Sequence, residues 1–144
     1  VPHAAACDVR EGPLANARST VEKYDLEDAV DLWLCSGFDH PGLRDYNDFV
    51  LAGMGGNLIA DLMDAAPWLQ REDTHLVLQP QSHAEDVRDC LYRSGIAQST
   101  CHCIRVTLPD AYVEHGNVEL LKKEVGVDVE SITARVLQKL EEME

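Results

Sequence analysis

The sequence predicts an α/β fold of the Rossmann type, in which a mostly parallel sheet is built with crossover helices and followed by a C-terminal helical, coiled-coil-like extension. Three observations carry that expectation. Short apolar runs of strand length recur along the first hundred residues, helical patterns fall between most of them, and polar or glycine-rich turns follow the runs. Sheets connected this way bind ligands beyond the carboxyl ends of their strands, so those turns are where function is sought.

His3 to Val9 is a run of small apolar residues that closes on Asp8 and reads as a buried strand. Gly12-Pro13 opens a helix whose face carries Leu14, Ala17, Val21 and Tyr24, ending near Asp25. Ala29 to Cys35 reads as a second strand running into Ser36-Gly37, and the polar stretch from Gly42 to Asn47 reads as a turn. Asp48 to Gly53 is the expected central strand. After the Gly53-Met54-Gly55-Gly56 loop, Leu58, Ile59, Leu62, Met63, Ala66 and Leu69 trace one buried helical stripe, with Pro67 weakening its last turn. His75 to Gln79 is a further strand closed by Pro80. Ala84, Val87 and Leu91 then mark a helix capped at Gly95, and Ile104 to Leu108 suggests one more strand. From Val118 onward Val125, Val129, Ile132, Val136 and Met143 recur at helical spacing, interrupted at Gly126. The expected division is a core over residues 1–109 and an extension over 110–144.

Composition narrows the classes. At 144 residues, 45% of them hydrophobic, the chain suits one ordinary domain with an appendage, and no apolar stretch approaches the roughly 20 residues of a membrane span. No secretion signal opens it, so a cytoplasmic location is expected. The five cysteines are an odd number in strand-like contexts, which fits free thiols better than disulfides. Cys101-His102-Cys103 is expected to be structural and no metal is expected, because neighbouring side chains on a strand point to opposite faces and cannot meet at one ion. Twelve Lys and Arg against 26 Asp and Glu give a charge of -14, which opposes an extended phosphate-binding surface.

Few residues invite chemistry. An acidic residue ending a strand before a helix can accept both hydroxyls of a ribose, which singles out Asp8; a carboxylate that only favours the helix start is the alternative. Glycines 53, 55 and 56 let the backbone approach a ligand closely, although a tight strand-to-helix turn needs them too. The serines lack a Gly-x-Ser-x-Gly setting and no cysteine shows an activating neighbour, so the catalytic residue stays unassigned. His83, just past Gln79-Pro80, either meets a substrate or opens the next helix.

Taken together, Cys7-Asp8-Val9 with Gly12-Pro13-Leu14, Val30-Asp31-Leu32 to Ser36-Gly37, Leu51-Ala52-Gly53-Met54-Gly55-Gly56 with Leu58-Ile59, and Leu76-Val77-Leu78-Gln79-Pro80 with His83 resemble the tRNA (adenine(22)-N1)-methyltransferase family over roughly residues 3–96. The resemblance implies a class I methyltransferase that uses S-adenosyl-L-methionine on N1 of an adenine in tRNA. On that reading Asp8 holds the ribose hydroxyls, Val9 packs on the cofactor's adenine, and Ser36 and Gly37 border it. Ala52 and Gly53 belong to the cofactor side of the next loop. Met54, Gly55, Gly56, Gln79, Pro80 and His83 face the substrate. Family members open with a strand and a Gly-x-Asp-His type loop around the methionine end of the cofactor, and the resemblance leads one to expect that unit ahead of Val1-Pro2, with either a truncation or an omitted segment there. Two alternatives remain open: the same fold acting on a small molecule or a protein, and a Rossmann-like interaction module without catalysis.

Overall fold

The computed structural model describes residues 3–95, 104–106 and 116–142. The chain divides into two compact units, Val1–Gln98 and Ser99–Glu144.

The first unit is two consecutive strand-helix-strand modules. Strand β1 (Ala4–Asp8), helix α1 (Glu11–Lys23) and strand β2 (Val30–Leu34) form the first; β3 (Asp48–Met54), α2 (Gly56–Asp64) and β4 (His75–Pro80) form the second, with α3 (Ala84–Arg93) after it. Each module pairs its strands in parallel, Ala4 opposite Val30 and Asp48 opposite His75. Parallel neighbours require such a crossover. The expected sheet is parallel, but it is not continuous: among the described residues no ladder joins the β1-β2 pair to the β3-β4 pair.

The core lies on one face of β3 and β4. Phe49 and Leu51 alternate inward along β3 and meet Ile59, Ala60 and Met63 of α2 and Val87 and Cys90 of α3; Ile59 is fully buried. Phe38, Phe49 and Trp68 pack edge to face at 5.6–5.7 Å, and Arg44 and Arg71 lie over Trp68. Arg71 also donates to the carbonyls of Arg44 and Tyr46, which ties the chain ahead of β3 to the chain ahead of β4. The opposite face is open, with Val50 71% and Val77 59% exposed.

Element boundaries follow the sequence reading with two differences. The stripe through Leu69 is not one helix: α2 stops at Asp64, and Pro67–Gln70 is a separate 3-10 turn. Proline has no N–H to give and its ring collides with the preceding turn, so Pro67 ends the helix instead of loosening it. Ala66 and Leu69 nevertheless stay buried. The segment expected as a turn near Gly42 contains a second 3-10 turn, Pro41–Asp45. Gly95 closes α3 in the left-handed conformation, φ +76°.

In the second unit α4 (Val118–Glu124) and α5 (Val129–Glu141) are separated at Gly126, φ +69°. Each begins on a side-chain cap: Asn117 accepts from the amides of Glu119 and Leu120, and Asp128 from the Ser131 amide. Neither helix buries a residue. Residues 104–106 carry no regular structure; the rest of the strand expected through Leu108, the Cys101-His102-Cys103 triplet and Met143 lie outside the described residues.

Candidate ligand site beyond the strand ends

The second module builds the more constrained half of the site. Its ladder slips between Ala52 and Met54, so that Met54 faces Pro80 and Gly53 is passed over. Gly53 takes φ +78°, which glycine adopts without steric cost, and donates its N–H to the Gln79 side-chain oxygen at 3.0 Å. The Met54 carbonyl accepts from the Gln81 amide at 2.9 Å, and the Gly56 amide donates to the Ser82 carbonyl at 2.7 Å. A Cβ on Gly56 would collide with the His83 carbonyl oxygen and come within 2.8 Å of the Ser82 one. The loop is therefore interlocked with the turn after β4. The Gly56 amide at the start of α2 is thereby taken by Ser82 and does not face a ligand.

His83 opens α3 in the left-handed conformation, φ 52°, and its Nδ1 lies 3.0 Å from Ser82 Oγ. Ala52, Gly53, Gln79 and His83 are exposed, and Met54, Gly55 and Pro80 are half-buried. The sequence reading passed over Gln81, Ser82 and Asn57. Ser82 and Asn57 both border Gly55, where an added Cβ would meet Asn57 Oδ1 at 2.6 Å and Ser82 Oγ at 3.4 Å. The unbroken polar run Gln79 to His83, following an apolar strand, was the available signal.

The first module brings Asp8, Val9, Ser36 and Gly37 together. The Cys35 amide donates to the Asp8 carbonyl at 3.1 Å, carrying the β1-β2 ladder one residue past β2. Asp8 Oδ1 accepts the Arg10 amide at 2.8 Å, with the Arg10 guanidinium 4.0 Å away. That bond braces the entry to α1. A carboxylate has about four acceptor positions, so it does not by itself exhaust Asp8. Val9 stands 67% exposed beside it. Gly37, φ +51°, is pressed against Leu62 of α2, so this half abuts the helix that begins at the glycine loop. One residue before Asp8, partial desolvation and the neighbouring Cys35 push the thiol of Cys7, a residue that is exposed as a whole, up to about 12. A thiol so held is protonated at neutral pH and is no nucleophile. Among the described residues no group of three or more metal-ligating side chains converges, and no helix is long and apolar enough to cross a membrane.

A family model for a methyltransferase domain matches residues 1–104. The chain belongs to that methyltransferase family. It is 31% identical over 94 residues to the tRNA (adenine(22)-N(1))-methyltransferase of Bacillus subtilis, which covers 65% of this chain and 40% of that one. The crystal structure of the B. subtilis M1A22 tRNA methyltransferase superposes with a TM-score of 0.58 at 31% identity, over 63% of this chain and 39% of the other. A Streptococcus agalactiae protein of the NADB-Rossmann superfamily gives 0.58 at 29% identity, over 65% and 42%. A further stretch of 36 residues is 47% identical to 1-deoxy-D-xylulose-5-phosphate synthase of Chlorobaculum tepidum, covering 25% of this chain and 6% of that enzyme. So short a piece falls below the size of an ordinary domain and carries no activity across. This methyltransferase domain thus spans about 40% of the length of its tRNA-methylating relative.

Proposed function

We propose that this chain takes part in methyl transfer from S-adenosyl-L-methionine to N1 of an adenine in tRNA, a task that would set it to work in the cytoplasm. The interlock of Gly53–Gly56 with Gln79–His83 carries the reading. It fixes exposed Gly53 and half-buried Gly55 beyond the ends of two parallel strands, where two positions without side chains let a flat base come close to the backbone, with Asn57 and Ser82 at the border.

The residues present fit the cofactor's nucleoside end. Asp8 would hold the ribose hydroxyls and exposed Val9 would lie on the adenine, with Ser36 and Gly37 at its border. Ala52 and Gly53 would approach the cofactor from the second module, while Met54, Gly55, Pro80 and His83 would line the space for the target base; of the other two residues expected there, Gly56 is buried against the turn after β4 and the Gln79 side chain is turned to Gly53. The cofactor supplies an electrophilic methyl group when bound. The protein's share is alignment, which alone can lower a barrier substantially. Adenine N1 attacks without losing a proton first, so the transfer needs no general base.

The two separate strand pairs also support the resemblance. A doubly wound sheet of order 3-2-1-4-5 contains them as its 3-2 and 4-5 halves, with one more strand between. We infer that the strand-loop cradling the methionine end of the cofactor belongs in that position, and that complete affinity requires it.

The charge of -14 favours a second reading, the same chemistry on a small molecule or a protein. Every Lys and Arg of α4 and α5 is already engaged: Lys122 with Glu119 at 3.0 Å, Lys123 with Glu130 at 3.7 Å, Arg135 with the Arg105 carbonyl at 2.8 Å and Lys139 with Glu142 at 2.8 Å. Calorimetric titration with S-adenosyl-L-methionine and S-adenosylhomocysteine tests cofactor binding, and labelled methyl transfer to bulk tRNA tests the substrate. Cofactor binding without transfer to tRNA favours the second reading; no cofactor binding leaves a non-catalytic module.

A further inference from the structure

We propose that Gln79 is a positioning residue, which sets the glycine loop by accepting the Gly53 N–H and not by touching substrate. Its consequence for catalysis rests on the methyltransferase reading; the clamp itself does not. The β3-β4 ladder keeps register from Asp48 opposite His75 to Ala52 opposite Gln79 and then skips Gly53. A bulged residue is left without a ladder partner, and an unpaired backbone amide loses the net stabilisation its neighbours enjoy. Gln79 stands directly opposite the residue before the slip, within reach, and its side-chain oxygen takes the stray N–H at 3.0 Å. Two further ties hold the loop, Met54 to Gln81 and Gly56 to Ser82, and both are backbone to backbone. The Gln79 bond is the tie among these three that a side-chain substitution removes.

The carboxamide separates two roles by chemistry. Its oxygen accepts and its nitrogen donates, so Gln79→Glu keeps the acceptor while losing the donors, whereas Gln79→Met keeps the length and loses both. If the oxygen matters, Glu rescues and Met does not. If a substrate acceptor is read by the amide N–H groups, Glu fails as badly as Met. Gln79 is exposed, so neither change disturbs the core.

The primary readout needs no activity: amide hydrogen exchange at Gly53 in the 144-residue chain. Exchange in Gln79→Glu is expected to match the parent, and in Gln79→Met to be roughly two- to tenfold faster, the equivalent of one ordinary hydrogen bond. Should Gln79→Met fail to fold, Gln79→Asn, one methylene too short to reach Gly53, serves the same comparison. In methyl transfer, Gln79→Met should lower kcat with the cofactor KM little changed, and Gln79→Glu should restore kcat to within about threefold of the parent. Unaltered Gly53 exchange in Gln79→Met overturns the clamp. Protected Gly53 with Gln79→Glu as inactive as Gln79→Met overturns the positioning role in favour of a substrate contact. A parent chain that binds no S-adenosylhomocysteine, yet shows Gly53 exchange that follows Gln79→Met, refutes the methyltransferase reading and upholds the clamp.

Discussion

Replacing Gly56 by alanine isolates the interlock between the glycine loop and the turn after β4. The new Cβ would collide with the His83 carbonyl oxygen and lie 2.7 Å from its carbon and 2.8 Å from the Ser82 oxygen, all of them backbone atoms. No rotamer change can clear them, so α2 and the start of α3 must move apart. Overpacking of this kind costs about 1–3 kcal/mol. Stretching the Gly56 to Ser82 hydrogen bond, 2.7 Å in the parent, forfeits about 0.5–1.5 kcal/mol more. Alanine's better helix propensity returns at most about 1 kcal/mol. The net expectation is a loss of about 1–3 kcal/mol, read as a lower urea midpoint at unchanged slope, with Trp68 in the core as the fluorescent reporter. Gly55→Ala is the control. Its nearest obstacle is the tip of the Asn57 side chain at 2.6 Å, which can turn away, and the loss should stay within about 0.5 kcal/mol. If Gly56→Ala proves no more damaging than Gly55→Ala, the close approach has been misread.

Three further outcomes are expected. Asp8→Ala should weaken S-adenosylhomocysteine binding by about 1.5–3 kcal/mol in calorimetry while shifting the melting midpoint little; the reverse pattern would make Asp8 a brace for α1 through the Arg10 amide. The hydroxyl and amide of Ser131 hold the Asp128 carboxyl below its usual range. Its support for α5 is therefore complete above the unfolded value of about 3.9, declines as the pH drops further, and is gone below the lowered folded value. Protection of the Ser131 amide, the intrinsic exchange rate over the observed one at each pH, should accordingly be flat from pH 6 to 8 and fall only in acid, and Asp128→Ala should abolish that acid step. Substituting Lys122 with Lys123, and Arg135 with Lys139, by alanine should leave both tRNA affinity and its salt slope unchanged, because these cations already have partners; a slope reduced by about one unit per cation would reinstate the helices as an RNA contact.

How much of this was legible in the sequence depends on the range of the interaction. The continuous apolar run Asp48 to Gly53, the proline-opened α1 and the glycine stops at 95 and 126 are local signals, and each element was readable from them. Pro67 was read as a weak point because the buried stripe ran on through Leu69; burial continued past the proline but the helix did not. The candidate site residues fall in two clusters that the strand ends made readable, yet their hydrogen-bond partners were not. That Gln79 turns its oxygen to Gly53 and that Gly56 rests on His83 depend on which strand lies opposite which and in what register, and that Lys123 meets Glu130 and Arg135 the Arg105 carbonyl depends on contacts between segments apart in sequence. Composition and periodicity do not carry that information.

That no ladder joins the two strand pairs among the described residues bears on how the domain assembles. Each strand-helix-strand module closes its own parallel ladder over a short loop of chain, Ala4 to Val30 in one and Asp48 to His75 in the other, at a modest entropic cost. Nothing in the described backbone obliges the two to form or open together. Side chains couple them, Gly37 resting on Leu62 and Trp33 on the second module's core, but with separate ladders their opening free energies should differ, the module with the buried Ile59 and Cys90 the more resistant and the one whose helix buries only Leu14 the first to exchange. On the reading offered here the cofactor's nucleoside would be held by the less resistant module and the glycine loop by the more resistant one. Ligand binding would then act as the fastener between two foldons, its affinity lowered by whatever fraction of molecules has the first module open.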